Sequence, residues 1–139
     1  MNWLGWALLS AGFAALTAIF GKIGVAEINS DMATFIRTVI ILFVLAAIVL
    51  ATGQWQAPAT IPSRTWIFLT LSGLATGGSW ICYYRALKIG DAARVAPVDK
   101  LSIVLVAIFG VLILGERLSA SNWLGVGLCT AGIVLVAMK

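Results

Sequence analysis

The 139-residue chain has no histidine, only two cysteines and three prolines, and 10% charged residues. Without an imidazole there is no His-based triad, and Cys82 and Cys129 lack the spacing of zinc ligands. Both thiols fall deep in apolar runs, where a buried thiol behaves as a small hydrophobe. No G-x-G-x-x-G or P-loop pattern is present, and no nucleophile, base and orienter stand together. The expectation is therefore a protein that is not an enzyme and carries no catalytic residue, metal or cofactor. The scarcity of charge excludes more. An ordinary soluble domain carries roughly 25% charged residues, whereas this chain is 62% hydrophobic with a mean hydropathy of +1.09. Such a composition cannot be placed in water.

Five segments, at about residues 3–22, 33–52, 65–87, 95–115 and 118–138, suit a hydrocarbon core of about 30 Å, which takes roughly 20 helical residues. The expected fold is all-α: a multi-pass transmembrane bundle of five helices, one domain over residues 1–139. The fourth segment is the weakest by charge, because Asp99 and Lys100 fall in its first turns. No lysine or arginine precedes Lys22, so the first segment lacks the basic start of a signal peptide and reads as a retained helix. Short connections leave no extramembrane domain and make sequential helices neighbours. Ser30 or Asp31 can cap the second helix and Gly90 can end the third. Pro97, early in the fourth, sits where a missing amide proton costs little, and Ser119 or Ser121 can cap the fifth. Gly73 with Gly77, and Gly125 with Gly132, mark faces suited to close helix packing.

Few side chains remain to carry chemistry. Lys22 lies on the small-residue face of the first helix with Ala14 and Ala18, where its amine can meet an anionic group or snorkel to the headgroups. Arg37 can pair with Asp31 or Glu27, or reach lipid phosphates. Asp99 and Lys100 are adjacent on a helix and point about 100 degrees apart, so one of them faces a seam or wet cavity unless the helix starts later. Asp99 is the carboxylate that falls inside a long apolar segment, which makes it the candidate for ion coupling. Trp80 and Tyr84 are four apart, as are Tyr84 and Lys88, so one face can line a cavity and stack against an organic solute, or form an aromatic belt. The substrate-contact or coupling candidates are Asp99, Lys100, Trp80, Tyr84 and Lys22.

The net charge of +4 reads as a topology signal rather than a nucleic-acid footprint. Counting by membrane face puts Lys22, Arg37, Arg85, Lys88, Arg94, Lys100 and Lys139 on one side and Arg64 and Arg117 on the other. The positive-inside rule then favours an N-terminus outside and a C-terminus in the cytoplasm.

The run from Ala86 to Ala137 resembles the EamA domain of the drug/metabolite transporter superfamily. The matching pieces are Ala86-Leu87-Lys88, Gly90-Asp91-Ala92-Ala93, Ala96-Pro97-Val98, Leu114-Gly115-Glu116-Arg117-Leu118, and then Gly125 and Gly132. Trp3, Phe13, Lys22 and Arg37 extend the resemblance more loosely over the whole chain. It implies one five-helix repeat of a secondary transporter or exporter of small organic metabolites in a plasma membrane, the inner membrane of a bacterium or archaeon. Two-repeat members pair inverted halves around a central cavity, so the implied partner is a second copy or a paired homologue, in the lipid bilayer. The chain departs from many members at Asp99-Lys100, after the proline of the fourth helix. It also lacks the acidic residue that small multidrug resistance exporters carry halfway along helix one, so their proton exchange does not transfer. The alternative is a non-transporting membrane subunit that stabilises or regulates a partner.

Overall fold

The structure, a computed structural model, describes residues 2–138, which form α-helices and one 3₁₀ turn with no strand among them. Met1 and Lys139, and with Lys139 one member of the charge count, lie outside the described residues. The helices are α1 (Trp3–Gly24), α2 (Ser30–Ala51), α3 (Ser63–Ile89), α4 (Ala92–Asp99), α5 (Ser102–Leu114) and α6 (Ala120–Ala137). The chain divides into two compact units, one of Gly21–Lys88 and the other of the described residues in Met1–Phe20 and Ile89–Lys139.

The polarity of these helices is inverted relative to a protein in water. Large apolar side chains point outward all along them, for example Phe13 at 69% exposure and Phe43 at 69%, while Val25 and Leu87 are the largest fully buried residues. Surfaces of that kind need hydrocarbon or another protein against them. α1, α2, α6 and Ala92–Leu114 are long and apolar enough to cross a membrane. α3 is the longest at 27 residues, about 40 Å at 1.5 Å per residue. It is less apolar because it carries Thr70, Ser72, Gly73, Thr76, Gly77, Gly78 and Ser79. Together they make a multi-pass membrane bundle.

The fourth span is two helices rather than one. It begins at Ala92, earlier than the expected 95, which places Pro97 inside α4 instead of at its harmless first turn. Pro97 has no amide proton to give the carbonyl one turn back, and its ring crowds that carbonyl. Beyond it the amides of Lys100, Leu101, Ile103 and Val104 bond carbonyls three residues back, at 2.9, 3.0, 3.0 and 3.1 Å. That tighter winding separates α4 from α5 at Lys100 and Leu101. α6 packs against both pieces, chiefly α4.

The caps also differ in detail. Asn29, not Ser30 or Asp31, caps α2: its Oδ1 accepts the amides of Asp31 at 2.8 Å and Met32 at 3.4 Å. Asparagine serves well in this role, and it leaves the Asp31 carboxylate free to turn elsewhere. Ser119 caps α6 by accepting the Asn122 amide at 3.3 Å. α5 ends on Gly115, whose φ of +70° is left-handed, and the Glu116 amide then bonds the Gly110 carbonyl at 3.0 Å.

Candidate functional site

Within Gly21–Lys88, α2 and α3 border an open cleft of about 580 Å3, inside the range of small-molecule sites, roughly 300–1,000 Å3. α2 contributes Asp31, Thr34, Phe35 and Thr38, a run of three- and four-residue steps that keeps one helical face toward the cleft. α3 answers with Leu69, Ser72, Gly73, Thr76, Gly77 and Trp80, on the same spacing, and Ile81 closes the row. A Cβ added at Gly73 or Gly77 would meet nothing within 4 Å. The G-x-x-x-G pair, expected to bring a helix into contact, instead leaves the cleft wide.

The threonine hydroxyls on these faces share one orientation. Thr34 Oγ1 donates to the Ser30 carbonyl at 2.9 Å, Thr38 Oγ1 to the Thr34 carbonyl at 2.8 Å, and Thr76 Oγ1 to the Ser72 carbonyl at 2.8 Å. A hydroxyl whose proton is committed to its own helix keeps only acceptor capacity for a visitor. The polar part of the cleft is thus rich in acceptors.

At one end Asp31 is gripped by Arg85, with Nε to Oδ1 at 2.9 Å and Nη2 to Oδ2 at 2.7 Å. Both side chains stay open to the surroundings, Arg85 at 61% and Asp31 at 48%. Arg37, expected to pair with Asp31 or Glu27, has no ion pair with either; its guanidinium lies 4.0 Å over the Trp80 ring and 5.3 Å from that of Tyr84. Arg37 Nη1 is buried without a hydrogen-bond partner. Tyr84 is buried and meets Tyr83 edge to face at 6.1 Å.

The two lysines of this unit tie helix ends together. Lys88 Nζ donates to the carbonyls of Val25, Ala26 and Ile28 at 2.8, 2.7 and 3.0 Å, which uses all three ammonium protons. Lys22 Nζ donates to the Leu87 carbonyl at 2.7 Å, where the C-terminal end of α3 carries partial negative charge. Lys22 does not line the cleft.

Of the five sequence candidates, Trp80 lies in the cleft wall, Tyr84 beneath the Arg37 guanidinium, and Lys22 at the end of α3. Asp99 and Lys100 belong to the other unit, at the α4 break, where Lys100 Nζ meets its neighbour's Oδ2 at 3.1 Å. The same unit is tied by Arg94, which donates to the Ala137 carbonyl at 2.8 Å. Asp31, Arg85 and the threonines were not singled out by sequence as site residues, and Lys88, expected on the face of Trp80 and Tyr84 that could line a cavity, instead ties the α1–α2 connection. The signal was present: Arg85 stands four after Ile81 and continues the α3 row, and Asp31 begins the α2 row.

The model of the EamA-like transporter family matches residues 1–138. A Sinorhizobium protein described as "Uncharacterized transporter in cobO 3'region" is 71% identical over 99% of this chain and 97% of its own length. A Hamiltonella defensa protein described as "Probable 4-amino-4-deoxy-L-arabinose-phosphoundecaprenol flippase subunit ArnE" is 27% identical over 62% of this chain and 76% of its own. A Vibrio cholerae "Uncharacterized transporter" is 26% identical over 92% of this chain but 40% of its own length. These relatives are described as transporters or a flippase subunit rather than enzymes. No solved structure matches.

Proposed function

We propose, from the premise that this chain belongs to the EamA-like transporter family, that it is one half of a secondary transporter or exporter of small organic metabolites. A second copy or a paired homologue completes it. The observation that carries this reading is the cleft of about 580 Å3 bordered by α2 and α3, with open glycine faces where a further wall can stand. The Vibrio relative supports the one-repeat reading, because nearly all of this chain matches well under half of that protein. The Hamiltonella relative, described as a subunit, supports the idea of a short chain acting in an assembly. Two related halves rocking around a shared site give alternating access.

In this scheme Trp80 contacts the solute from the cleft wall, the buried Tyr84 supports Arg37 behind it, and Lys22 sets the end of α3. Asp99, with Lys100 at 3.1 Å, is the coupling carboxylate, placed at a helix break where backbone and side chain can rearrange together. The membrane is the inner membrane of a bacterium or archaeon, with the N-terminus outside. The assembly is an inverted pair, which the charge bias makes easier with an oppositely oriented homologue than with a second copy of this chain, and a parallel dimer is the competing arrangement.

Flux into proteoliposomes, screened with metabolites that stabilise the purified protein, tests the function. Solute-dependent flux is expected, and Asp99→Asn should alter its rate and pH profile. An unchanged profile removes Asp99 from coupling, and absence of flux from the reconstituted assembly favours the non-transporting subunit. Single cysteines at Glu27 and Ala57, labelled in intact cells in a cysteine-free background, test topology. One orientation alone excludes an antiparallel homodimer, whereas comparable labelling of each site from both sides overturns the charge rule for this chain.

A further inference from the structure

We propose that the α2–α3 cleft binds an amine-bearing organic cation, whose ammonium replaces Arg85 on the carboxylate of Asp31. The proposal deepens the transporter reading and rests on it for the fate of the solute, although binding itself can be read without transport.

Charge is the first reason. Asp31 is the charged residue among those lining the cleft, and the oxygens of Thr34, Thr38 and Thr76, with their protons spent on their own helices, extend the acceptor surface. An anion entering here would meet a carboxylate and three threonine oxygens with no proton to give, against which Ser72 sets a single hydroxyl. The nearby cations are engaged elsewhere: Lys88 on three carbonyls, Lys22 on that of Leu87, and Arg37 over Trp80. Arg37 Nη1 lacks a partner but is buried, so a solute reaches it only by lifting the guanidinium off Trp80.

Exchange is the second reason. Arg85 holds Asp31 in a bidentate grip, yet its side chain is 61% exposed, and ion pairs so open to their surroundings are weak. An ammonium inside the cleft would keep the charge partner and add contacts that Arg85 does not make. Phe35 and Leu69 offer an apolar wall for the body of the solute, and the open space at Gly73 and Gly77 gives it room. Arg85 then serves as a resident counter-ion that keeps Asp31 paired while the cleft is empty.

The test is equilibrium binding to the full chain in lipid nanodiscs, by calorimetry, with three probes that share a phenethyl body: phenethylamine, neutral 2-phenylethanol and anionic 3-phenylpropionate. Phenethylamine should bind at least tenfold more tightly than the other two. Asp31→Asn should weaken it at least tenfold, and Arg85→Gln should tighten it severalfold, because the competing guanidinium is gone. A loss of structure would not produce tightening. No phenethylamine binding by the unaltered protein, binding indifferent to Asp31→Asn, weakening by Arg85→Gln, or a preference for 3-phenylpropionate would each overturn the proposal. The expected binding pattern with no flux from the reconstituted assembly, second half included, would sink the transporter reading and leave this site standing; flux without that pattern would do the reverse.

Discussion

The unit of Gly21–Lys88 and the unit that holds α4, α5 and α6 use their few polar side chains in different ways. In the first, Lys22, Lys88, Asp31 and Arg85 each reach a residue on another helix or its connection, and the Asp31–Arg85 pair does so at one end of an open cleft. In the second, Arg94 does reach across to Ala137, but the other side-chain contacts are local: Lys100 with its neighbour Asp99, and Ser119 with Ser121 and Asn122. Long-range polar ties in a membrane segment are costly to arrange and are kept where they position something. The comparison therefore sets the proposed solute cleft in the first unit and the proposed coupling residue Asp99, at the α4 break, in the second.

Filling the cleft without disturbing the fold is the strongest way to break that assignment. Gly77→Leu places a side chain where a Cβ meets nothing within 4 Å, and replacing a helical glycine gains up to about 1 kcal/mol of helix propensity. Flux should fall at least tenfold while thermal stability in detergent holds or rises. Gly132→Leu on α6 also meets open space at its Cβ, and it should impair association in mild detergent more than solute binding. If Gly77→Leu left flux intact, the solute would not pass the α2–α3 face.

A smaller effect is expected at Lys88. Removing its ammonium by Lys88→Met leaves three carbonyls without their donor, and hydrogen bonds to a charged group contribute about 1.5–3 kcal/mol before water or lipid compensates. A loss of about 1–2 kcal/mol in unfolding free energy should follow. Lys88→Arg should recover only part of it, because a planar fork cannot aim at three converging carbonyls as an ammonium does. Full recovery with Arg would show that charge alone, rather than directed hydrogen bonding, holds the α1–α2 connection.

The membrane class and the helical spans were legible because hydropathy acts over 20 residues at a time, a scale on which local detail averages out. The α4 break was not, since the weight of Pro97 depends on where the helix begins, and three residues of error turned a tolerated first-turn proline into an interior one. The cleft was half legible. Gly73 and Gly77 were visible as a small-residue face, but spacing cannot tell a face that receives a helix from one left open. Trp80 was found as an aromatic at the right depth. Asp31 and Arg85 were not paired in the reading, because they stand 54 residues apart and Arg37 was the nearer cation along the chain. Tertiary packing placed Arg37 over aromatic rings and left Arg85 to the carboxylate.

The smallest difference is also the sharpest, since it compares two glycines that bracket the end of one helix. Gly115 sits at φ +70°, a conformation in which a Cβ crowds the carbonyl oxygen at a cost of roughly 1–2 kcal/mol. Gly110 has ordinary helical geometry, but an added Cβ would lie 2.7 Å from Glu116 Oε2. That oxygen ends a flexible side chain, and a modest turn of the carboxylate clears the space while alanine improves the helix. Gly115→Ala should therefore lower stability by about 1 kcal/mol, and Gly110→Ala should change it by less than about 0.5 kcal/mol. Paired thermal unfolding in the same detergent reads both. Equal losses would mean that the Glu116 carboxylate is fixed against Gly110, making the α5–α6 turn a rigid joint, whereas the expected inequality makes backbone handedness the main constraint there.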